Sequence, residues 1–426
     1  MFGKKKMSLT AQLLIALLTG GLLGLSLQYL PGGYIKDEIL IDGILWFLGT
    51  AFLNAIKMVV VPLVFVSLVS GMGAVTDAKK FGRMGGKVML WYIFTTPVAI
   101  GIAMLVGRIL NPGKGIRMDS VVLTESTINN AEPIHHMIAK IIPSNPFEAF
   151  ASGNMLQVIF FAVASGLAII AIGQAAKPVK DIVDVLNSMI LKIVETIMLF
   201  APYGAFALIA RAFSLMGLNA VGALFVYMGA IILALVAHVI LIYGGMFKLL
   251  GGKDPTTGKS LSVKILLKKM MPAMSFAFAS SSSAATMPIS KKCMDDLGIR
   301  REFSSFALPL GVTFNMDGTA IMQGVATIFL STIYGVELGA VGILTVMITA
   351  TMSTIGTAAI PGAGMVMLSM VLTSVGIPVE GIAIILGVDR ILDMSRTVVN
   401  VINDFSCGIV VARYEGMLDY EQFNRT

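Results

Sequence analysis

Residues 381–412 read GIAIILGVDRILDMSRTVVNVINDFSCGIVVA. Inside this apolar run Asp389, Asp393, Arg396, Asn400 and Asp404 are spaced four, three, four and four apart. At roughly 100° per residue they share an arc of about 80° on one helix face. An ionisable group at membrane depth costs on the order of 3 kcal/mol or more, so a stripe of them is a functional-site hypothesis by default. Something charged or strongly polar must meet that face.

Composition supplies the membrane setting. Of 426 residues, 56% are hydrophobic, only 13% are charged and 44 are glycine, and the mean hydropathy is +0.88. The net charge of +7 would suggest nucleic acid in a soluble chain. Here many basic residues stand in short gaps between apolar runs and read as topology signals, so no nucleic-acid partner is expected. Cys293 and Cys407 lack metal-type spacing, and His135, His136 and His238 form no recognisable ligand set. The first apolar run follows Lys4, Lys5 and Lys6 and continues into a full span without a convincing processing site, so it reads as retained.

A span needs about 20 apolar residues. Such runs occur near 8–30, 41–72, 85–110, 147–173, 183–216, 219–247, 302–333 and 380–412, with shorter polar-tipped segments near 262–296 and 339–375. Basic residues cluster at 4–6, 79–87, 177–180, 248–269, 287–301 and 413, whereas the gaps at 31–40, 217–219 and 335–338 carry few or none. The positive-inside rule then puts both termini in the cytoplasm of a multi-pass cell-membrane protein. The segment 270–290 is uncharged, yet Lys264, Lys268 and Lys269 precede it and Lys291, Lys292, Arg300 and Arg301 follow. Both flanks belong on one side, which makes the segment a re-entrant hairpin turning at the serines 280–283. No charge occurs between Glu337 and Glu380, and each arm of about 16 residues is short for a crossing. A second hairpin, entering from the other side, fits that stretch.

The two tips are alike: Ser282-Ser-Ala-Ala-Thr-Met-Pro288 against Ile355-Gly-Thr-Ala-Ala-Ile-Pro361. That is the mark of an inverted repeat whose broken helices meet near the midplane. Small residues for close helix packing would explain the glycines and alanines but not four consecutive serines or Pro-Gly. Between the hairpins, Thr313-Phe-Asn-Met-Asp-Gly-Thr-Ala320 can interrupt a helix and offer side-chain and backbone oxygens, which hard cations favour. Asn400 and Asp404 could complete such a shell, and Tyr92, Thr95 and Thr96 add hydroxyls from an earlier span. Polar glue between helices is the plainer reading, but it leaves Asp317 and Asp404 buried without compensation.

With these motifs in hand, the chain resembles the dicarboxylate/amino acid:cation symporters, including archaeal sodium/aspartate transporters, from the first span to about Gly416. The resemblance is carried by the serine-rich tip 280–288, Asn315-Met-Asp-Gly-Thr319, Gly356-Thr-Ala-Ala-Ile-Pro-Gly-Ala-Gly364, and Asp389-Arg-Ile-Leu-Asp-Met-Ser-Arg-Thr397 with Asn400 and Asp404. It implies an all-α homotrimer whose protomers have eight transmembrane helices and two re-entrant hairpins and move by an elevator mechanism. The scaffold would be 1–84 (spans 1 and 2) and 112–217 (an extracellular loop with spans 4 and 5). The transport domain would be 85–111 (span 3) and 218–416 (span 6, hairpin 1, span 7, hairpin 2, span 8), with 417–426 a cytoplasmic tail that could be disordered.

The same resemblance assigns roles. Asp393 would pair with a substrate ammonium and Arg396 with its side-chain carboxylate, while Thr319, Thr397 and Asn400 add hydrogen bonds. The α-carboxylate would meet backbone N–H groups around Ser281, Ser282 and Ser283, with Ile360, Pro361 and Gly364 closing over it. Three sodium sites are implied: Asn400 and Asp404 with the carbonyls of Gly311 and Asn315; Thr313 and Met316 with the carbonyls of Thr354, Ile355 and Thr357; and Tyr92, Thr95, Thr96, Asn315 and Asp317. Sodium is a coupling ion here, and no cofactor is expected.

Two departures shape the expectation. Archaeal relatives place an arginine where Ser281 stands and animal glutamate transporters one where Met394 stands; here the nearest extra guanidinium is Arg390, either steadying Arg396 or partnering Asp389. Proton-coupled relatives usually carry Asn at the Asp404 position, so Asp404 favours sodium. Asp393 favours an amino acid over a C4-dicarboxylate, and Arg396 an acidic one. Glutamate and aspartate differ by a methylene, worth roughly 1–3 kcal/mol; the reading leans to aspartate. Alternatives are a proton-coupled glutamate/aspartate or C4-dicarboxylate symporter and, in another class, an anion channel, which would need a continuous pore lining. An intramembrane enzyme is disfavoured: no His or Lys lies in an apolar segment near 280–283 to serve as base, and His238 reads as a packed or hydrogen-bonded helix residue. The 29 methionines read as packing adaptors.

Overall fold

The computed structural model describes residues 9–73, 78–115, 142–216, 218–252, 258, 260–354 and 363–425. The described residues are almost entirely helical. Helix α1 spans Leu9–Tyr29, and α2 spans Trp46–Gly73 behind a π-helical segment Ile35–Leu45; α3 is Ala78–Leu110. The run 147–173 becomes a short α4, Pro146–Ser152, and α5, Met155–Ile172. Asn145 and Asn154 cap them by accepting backbone N–H groups, and Gly153 (φ +70°) ends the first in the left-handed region. The run 183–216 likewise divides into α6, Lys177–Leu199, and α7, Ala201–Met216. The break falls at Phe200, two residues before Pro202, whose missing N–H and ring disfavour a continuous helix.

Helix α8, Leu218–His238, continues through a π-helical segment Val239–Gly244 into α9, Gly245–Leu250. Then come α10, Val263–Ser280, and α11, Ser283–Asp296; α12, Arg301–Phe314, and α13, Asp317–Ile333; α14, Ala340–Thr354, and α15, Ala363–Ser374; α16, Ile382–Tyr414; and α17, Tyr420–Asn424. Among the described residues, each apolar run read from the sequence is built mainly of helix. Three stretches among the described residues, Arg83–Leu110, Phe160–Ile197 and Val221–Leu250, are long and apolar enough to cross a membrane on length and composition alone. Large apolar side chains such as Leu22, Leu90, Phe94, Leu105, Leu233 and Leu241 are exposed, as befits a lipid-facing exterior.

Packing follows two groups of helices. In one, α1 lies on α7, and α2 on α5, α6 and α7; in the other, α3 and α16 flank α13, α8 packs on α3 and α13, and α10 packs on α11 and α16. The groups meet where α16 touches α1 and α7 and where α15 touches α2. Buried methionines, among them Met322, Met365, Met367 and Met370, fill the second group.

Both hairpins exist as helix pairs, α10 with α11 and α14 with α15. The first turns at the serines: Ser281 adopts φ +52° and Ser282 caps α11, its Oγ accepting from Ala285 N at 3.2 Å. The second tip, with Ile355, Gly356, Thr357, Ile360 and Pro361, lies outside the described residues, as do His135 and His136.

The polar tail differs from the expectation of a free end. Gly298 (φ +84°) lies so close to Asp419 that a Cβ there would be 2.3 Å from its carbonyl oxygen. Asp419 N donates to Gly298 O at 2.8 Å and Arg300 N to Met417 O at 3.0 Å. Lys269 Nζ donates to the carbonyls of Asp296 (2.9 Å) and Gln422 (2.7 Å), and Phe423 is fully buried. A single aromatic anchor and these bonds hold α17 against the foot of the first hairpin, a docking that polarity alone conceals.

Candidate functional site

Helix α16 carries the stripe into the protein's centre. Asp389, Asp393, Arg396, Thr397, Asn400 and Asp404 are all buried, Arg396 at 1% exposure. Arg396 donates through Nη1 to Asp389 Oδ1 at 2.7 Å and through Nη2 to Asp393 Oδ1 at 2.9 Å. Asp393 Oδ2 and Arg396 Nε are left without hydrogen-bond partners. Arg390 Nη1 lies 3.6 Å from Asp393 Oδ2, while Asp389 is held by Arg396. Two guanidinium and two carboxylate groups therefore face one another, charge-balanced, with hydrogen-bonding capacity of both signs in reserve.

Of the other substrate candidates, Gly364, Thr319 and Thr397 stand beside the quartet. A Cβ on Gly364 would lie 3.1 Å from Thr319 Cγ2 and 3.8 Å from Arg396 Nη2, which seats the start of α15 over the guanidinium. Thr319 is buried, and Thr397 Oγ1 donates to Asp393 O at 2.8 Å. Ser281, Ser282 and Ser283 are buried at the first tip, and the Ser281 hydroxyl has no hydrogen-bond partner. Ile360 and Pro361 lie outside the described residues.

One turn further along α16 lies a second, oxygen-rich core. The helix break expected at Asn315-Met-Asp is present: Asn315 has φ −104°, ψ 103° and Met316 φ −136°, ψ 44°, between the end of α12 and the start of α13. Asp317 opens α13, where the helix dipole favours a carboxylate. Asn315 Nδ2 donates to Asn400 O and to Asp404 Oδ1, each at 2.7 Å, and Tyr92 OH donates to Asp404 Oδ1 at 3.1 Å. A Cβ on Gly311 would be 2.3 Å from Asp404 Oδ1, so only glycine lets α12 approach that carboxylate. Gly311 O accepts from Asn315 N at 2.8 Å and keeps a second lone pair. Thr96 Oγ1 donates to Asp317 Oδ1 at 2.6 Å, and Thr95 receives Asn403 Nδ2 at 3.4 Å.

Of the remaining cation candidates, Met316 is buried. The hydroxyls of Thr313 and Thr354 are bonded to their own helices, at Pro309 O (2.8 Å) and Thr351 O (2.7 Å). Ile355 and Thr357 lie outside the described residues. The donor set gathered here is carboxylate, amide, hydroxyl and carbonyl oxygen, the chemistry a hard monovalent cation prefers.

Three members of this core, Asn403, Trp91 and Tyr243, were not singled out from sequence. Asn403 Nδ2 donates to Asn315 Oδ1 (2.8 Å) and Asp317 Oδ2 (3.0 Å), and its Oδ1 accepts from Trp91 Nε1 (2.7 Å). Asn403 stands seven residues after Arg396, about 20° from it on the helical wheel, so the stripe itself contained the signal. Tyr243 OH donates to Asp317 Oδ2 at 2.9 Å, and His238 Nε2 lies 3.2 Å from the same oxygen, which makes His238 the hydrogen-bonded helix residue anticipated. Residues five apart on an α-helix diverge by about 140°. The π-helical turn Val239–Gly244 brings them together, since its bonding pattern runs from i to i+5.

Comparison with known proteins gives the same direction. The model of the sodium:dicarboxylate symporter family matches residues 9–414. The chain is 32% identical over 407 residues to the proton/sodium-glutamate symport protein of Geobacillus stearothermophilus, covering 94% of each. It is 32% identical over 424 residues to the proton/glutamate-aspartate symporter of Escherichia coli strain K12 (97% of this chain, 94% of the relative). It is 31% identical over 423 residues to the C4-dicarboxylate transport protein of Rhodospirillum rubrum (97% and 90%).

Proposed function

The chain belongs to the sodium:dicarboxylate symporter family, and we propose that it is a sodium-coupled symporter of acidic amino acids, aspartate foremost. The observation that carries this reading is the buried Arg396 held between Asp389 and Asp393, with Arg396 Nε and Asp393 Oδ2 making no hydrogen bond. A neutral solute would have no use for that arrangement, whereas an amino acid with a second carboxylate matches it. Its ammonium meets Asp393, its side-chain carboxylate meets the guanidinium through parallel hydrogen bonds, and its α-carboxylate meets the first hairpin tip.

Sodium enters as a second substrate. Asp404 with Asn315, Asn400 and Gly311, and Asp317 with Tyr92, Thr95 and Thr96, supply oxygen ligands at membrane depth, where uncompensated carboxylates are costly. Cations there offset the buried negative charge, and a third under the second hairpin ties cation binding to closure over Gly364. The two packing groups described above support a scaffold and a moving transport domain, carried across in a homotrimer with both termini cytoplasmic.

Labelled aspartate uptake into proteoliposomes tests the proposal, with sodium, potassium-only and proton gradients imposed in parallel. Unlabelled glutamate, succinate and serine serve as competitors. Uphill uptake that requires sodium, inhibited by glutamate and not by serine, is the expected result. Accumulation driven only by protons, or inhibited mainly by succinate, would replace the coupling ion or the substrate; flux that never exceeds its gradient would mean a channel.

A further inference from the structure

At the basic end of the second helix group, a groove of about 490 Å³ opens on the outer surface between α3, α9 and the end of α16. Leu90, Phe94, Met246, Leu250 and Val410 line it; Leu90 and Phe94 are 68% and 53% exposed, so the groove faces outward. Its mouth is different in kind. Lys87 and Arg83, one turn apart on α3, both bind Glu415, at 2.6 Å each, and Lys87 and the Arg413 guanidinium lie 5.8 and 5.1 Å from the centre of the Tyr414 ring. Arg83 and Lys87 share the Glu415 carboxylate and Arg413 donates to Leu250 O beside the same Tyr414 ring, so the rim carries three cations to one carboxylate, two positive charges in excess.

An apolar trough capped by surplus positive charge is complementary to an amphiphile with an anionic head, as basic pockets between membrane helices are. Depth agrees. From Lys87 to Phe94 is a rise of roughly 10 Å along the helix, within one half of a hydrocarbon core about 30 Å thick. We propose that this groove holds one acyl chain of an anionic phospholipid, with its phosphate on Lys87 and Arg83. The inner wall is Trp91, whose Nε1 donates to Asn403. A bound lipid therefore packs against the ring that holds Asn403 on Asn315 and Asp317, and membrane composition reaches the cation core through one indole. The proposal rests on the membrane reading of the chain and not on which solute it carries.

The chain has two tryptophans, so Trp46→Phe leaves Trp91 as the sole indole reporter. The full-length protein is reconstituted in phosphatidylcholine vesicles containing a small, equal fraction of dibrominated phosphatidylglycerol or dibrominated phosphatidylcholine, and Trp91 quenching is recorded. Two surplus charges should give phosphatidylglycerol an apparent preference of roughly thirtyfold. That preference should vanish in Arg83→Gln/Lys87→Gln, survive in Arg83→Lys/Lys87→Arg, and give way to weak quenching by either lipid in Val410→Phe, which fills the trough and keeps the charges. Equal quenching by the two lipids before any rim substitution, or a preference that persists without the cations, overturns the proposal. Absence of quenching by both means that protein covers the groove, and overturns it too. Each of these readings is independent of aspartate uptake.

Discussion

Replacing Arg396 with Cys removes the guanidinium that hydrogen-bonds both Asp389 and Asp393. Two charge-assisted bonds vanish, at 2.7 and 2.9 Å, and Asp389 and Asp393 remain buried with their Oδ1 atoms unanswered. Breaking a buried ion pair from one side costs about 3–5 kcal/mol, so the variant should unfold earlier on heating in detergent. If the substrate carboxylate uses the same guanidinium, two bonds at about 1.5–3 kcal/mol each are lost from binding, and aspartate uptake should fall at least about a hundredfold. Neutral amino acids lose no partner and should compete better than in the parent. Adding Asp389→Asn to Arg396→Cys separates the two effects. It removes a stranded charge and should restore much of the thermal stability while leaving aspartate uptake absent. Parent-like aspartate uptake in Arg396→Cys would refute the assigned role. A double variant no more stable than the single one would refute the account of the ion pair.

Other perturbations follow from the geometry. Asp404→Asn should weaken the sodium dependence of uptake or shift it toward protons, read from initial rates across a sodium series; an unchanged sodium requirement would remove Asp404 from the ligand set. Gly318→Ala places a Cβ 2.4 Å from the Arg396 carbonyl oxygen and 2.9 Å from its Cα, backbone that cannot swing aside, and should abolish folding or uptake. Gly86→Ala, in open space on α3, should be neutral or raise stability by up to ~1 kcal/mol. Phe423→Ala should cost about 3–5 kcal/mol in a melting experiment if α17 is docked, and nothing if the tail is free. Hydrogen bonding from Lys87, with Arg83 adding to it, holds the Glu415 carboxyl below its ordinary value. Because the shift is downward in the fold, this contribution is present above the usual carboxylate range and is lost as pH falls through the depressed value. The stability gap between the parent and Glu415→Gln should therefore close on acidification from pH 6 to 3.

The legible parts of this molecule are those where the membrane makes polarity expensive. Arg396 and Asp404 inside an apolar run announce themselves; the serines 280–283 between two basic flanks announce a turn; Asn315 and Asp317 announce a broken helix. What stayed hidden depends on local geometry. Tyr243 reaches Asp317 only because a π-helical turn rotates it there, and no α-helical wheel includes it. Asn403 lies on the stripe's own face, but it falls outside the four-three-four-four spacing and next to the ionisable Asp404. The pairing of Asp389 with Arg396 spans two turns, and reading each residue for its own ligand obscured their bond to each other. The tail was judged on polarity, whereas one buried ring, Phe423, decides its position.

Substrate and cation chemistry meet in how α13 is joined to α16. Asn400 uses its side-chain oxygen to receive Gly318 N at 2.8 Å and its carbonyl to receive Asn315 Nδ2 at 2.7 Å. The same residue thus holds both sides of the helix break. One turn before it lies Arg396, whose carbonyl abuts Gly318; one turn after it lies Asp404, which binds the other hand of Asn315. On the proposed sodium coupling, a shift in the break on cation arrival would move Gly318 and with it the backbone under the guanidinium, since packing this close transmits displacement instead of absorbing it. Coupling then needs no wire between distant sites: the two ligand sets are consecutive turns of one helix clamped by one asparagine. Asn400→Ala should accordingly weaken sodium and aspartate binding together, whereas Asp404→Asn should act on sodium first. Equal, independent losses in those two variants would show that the junction is only a scaffold.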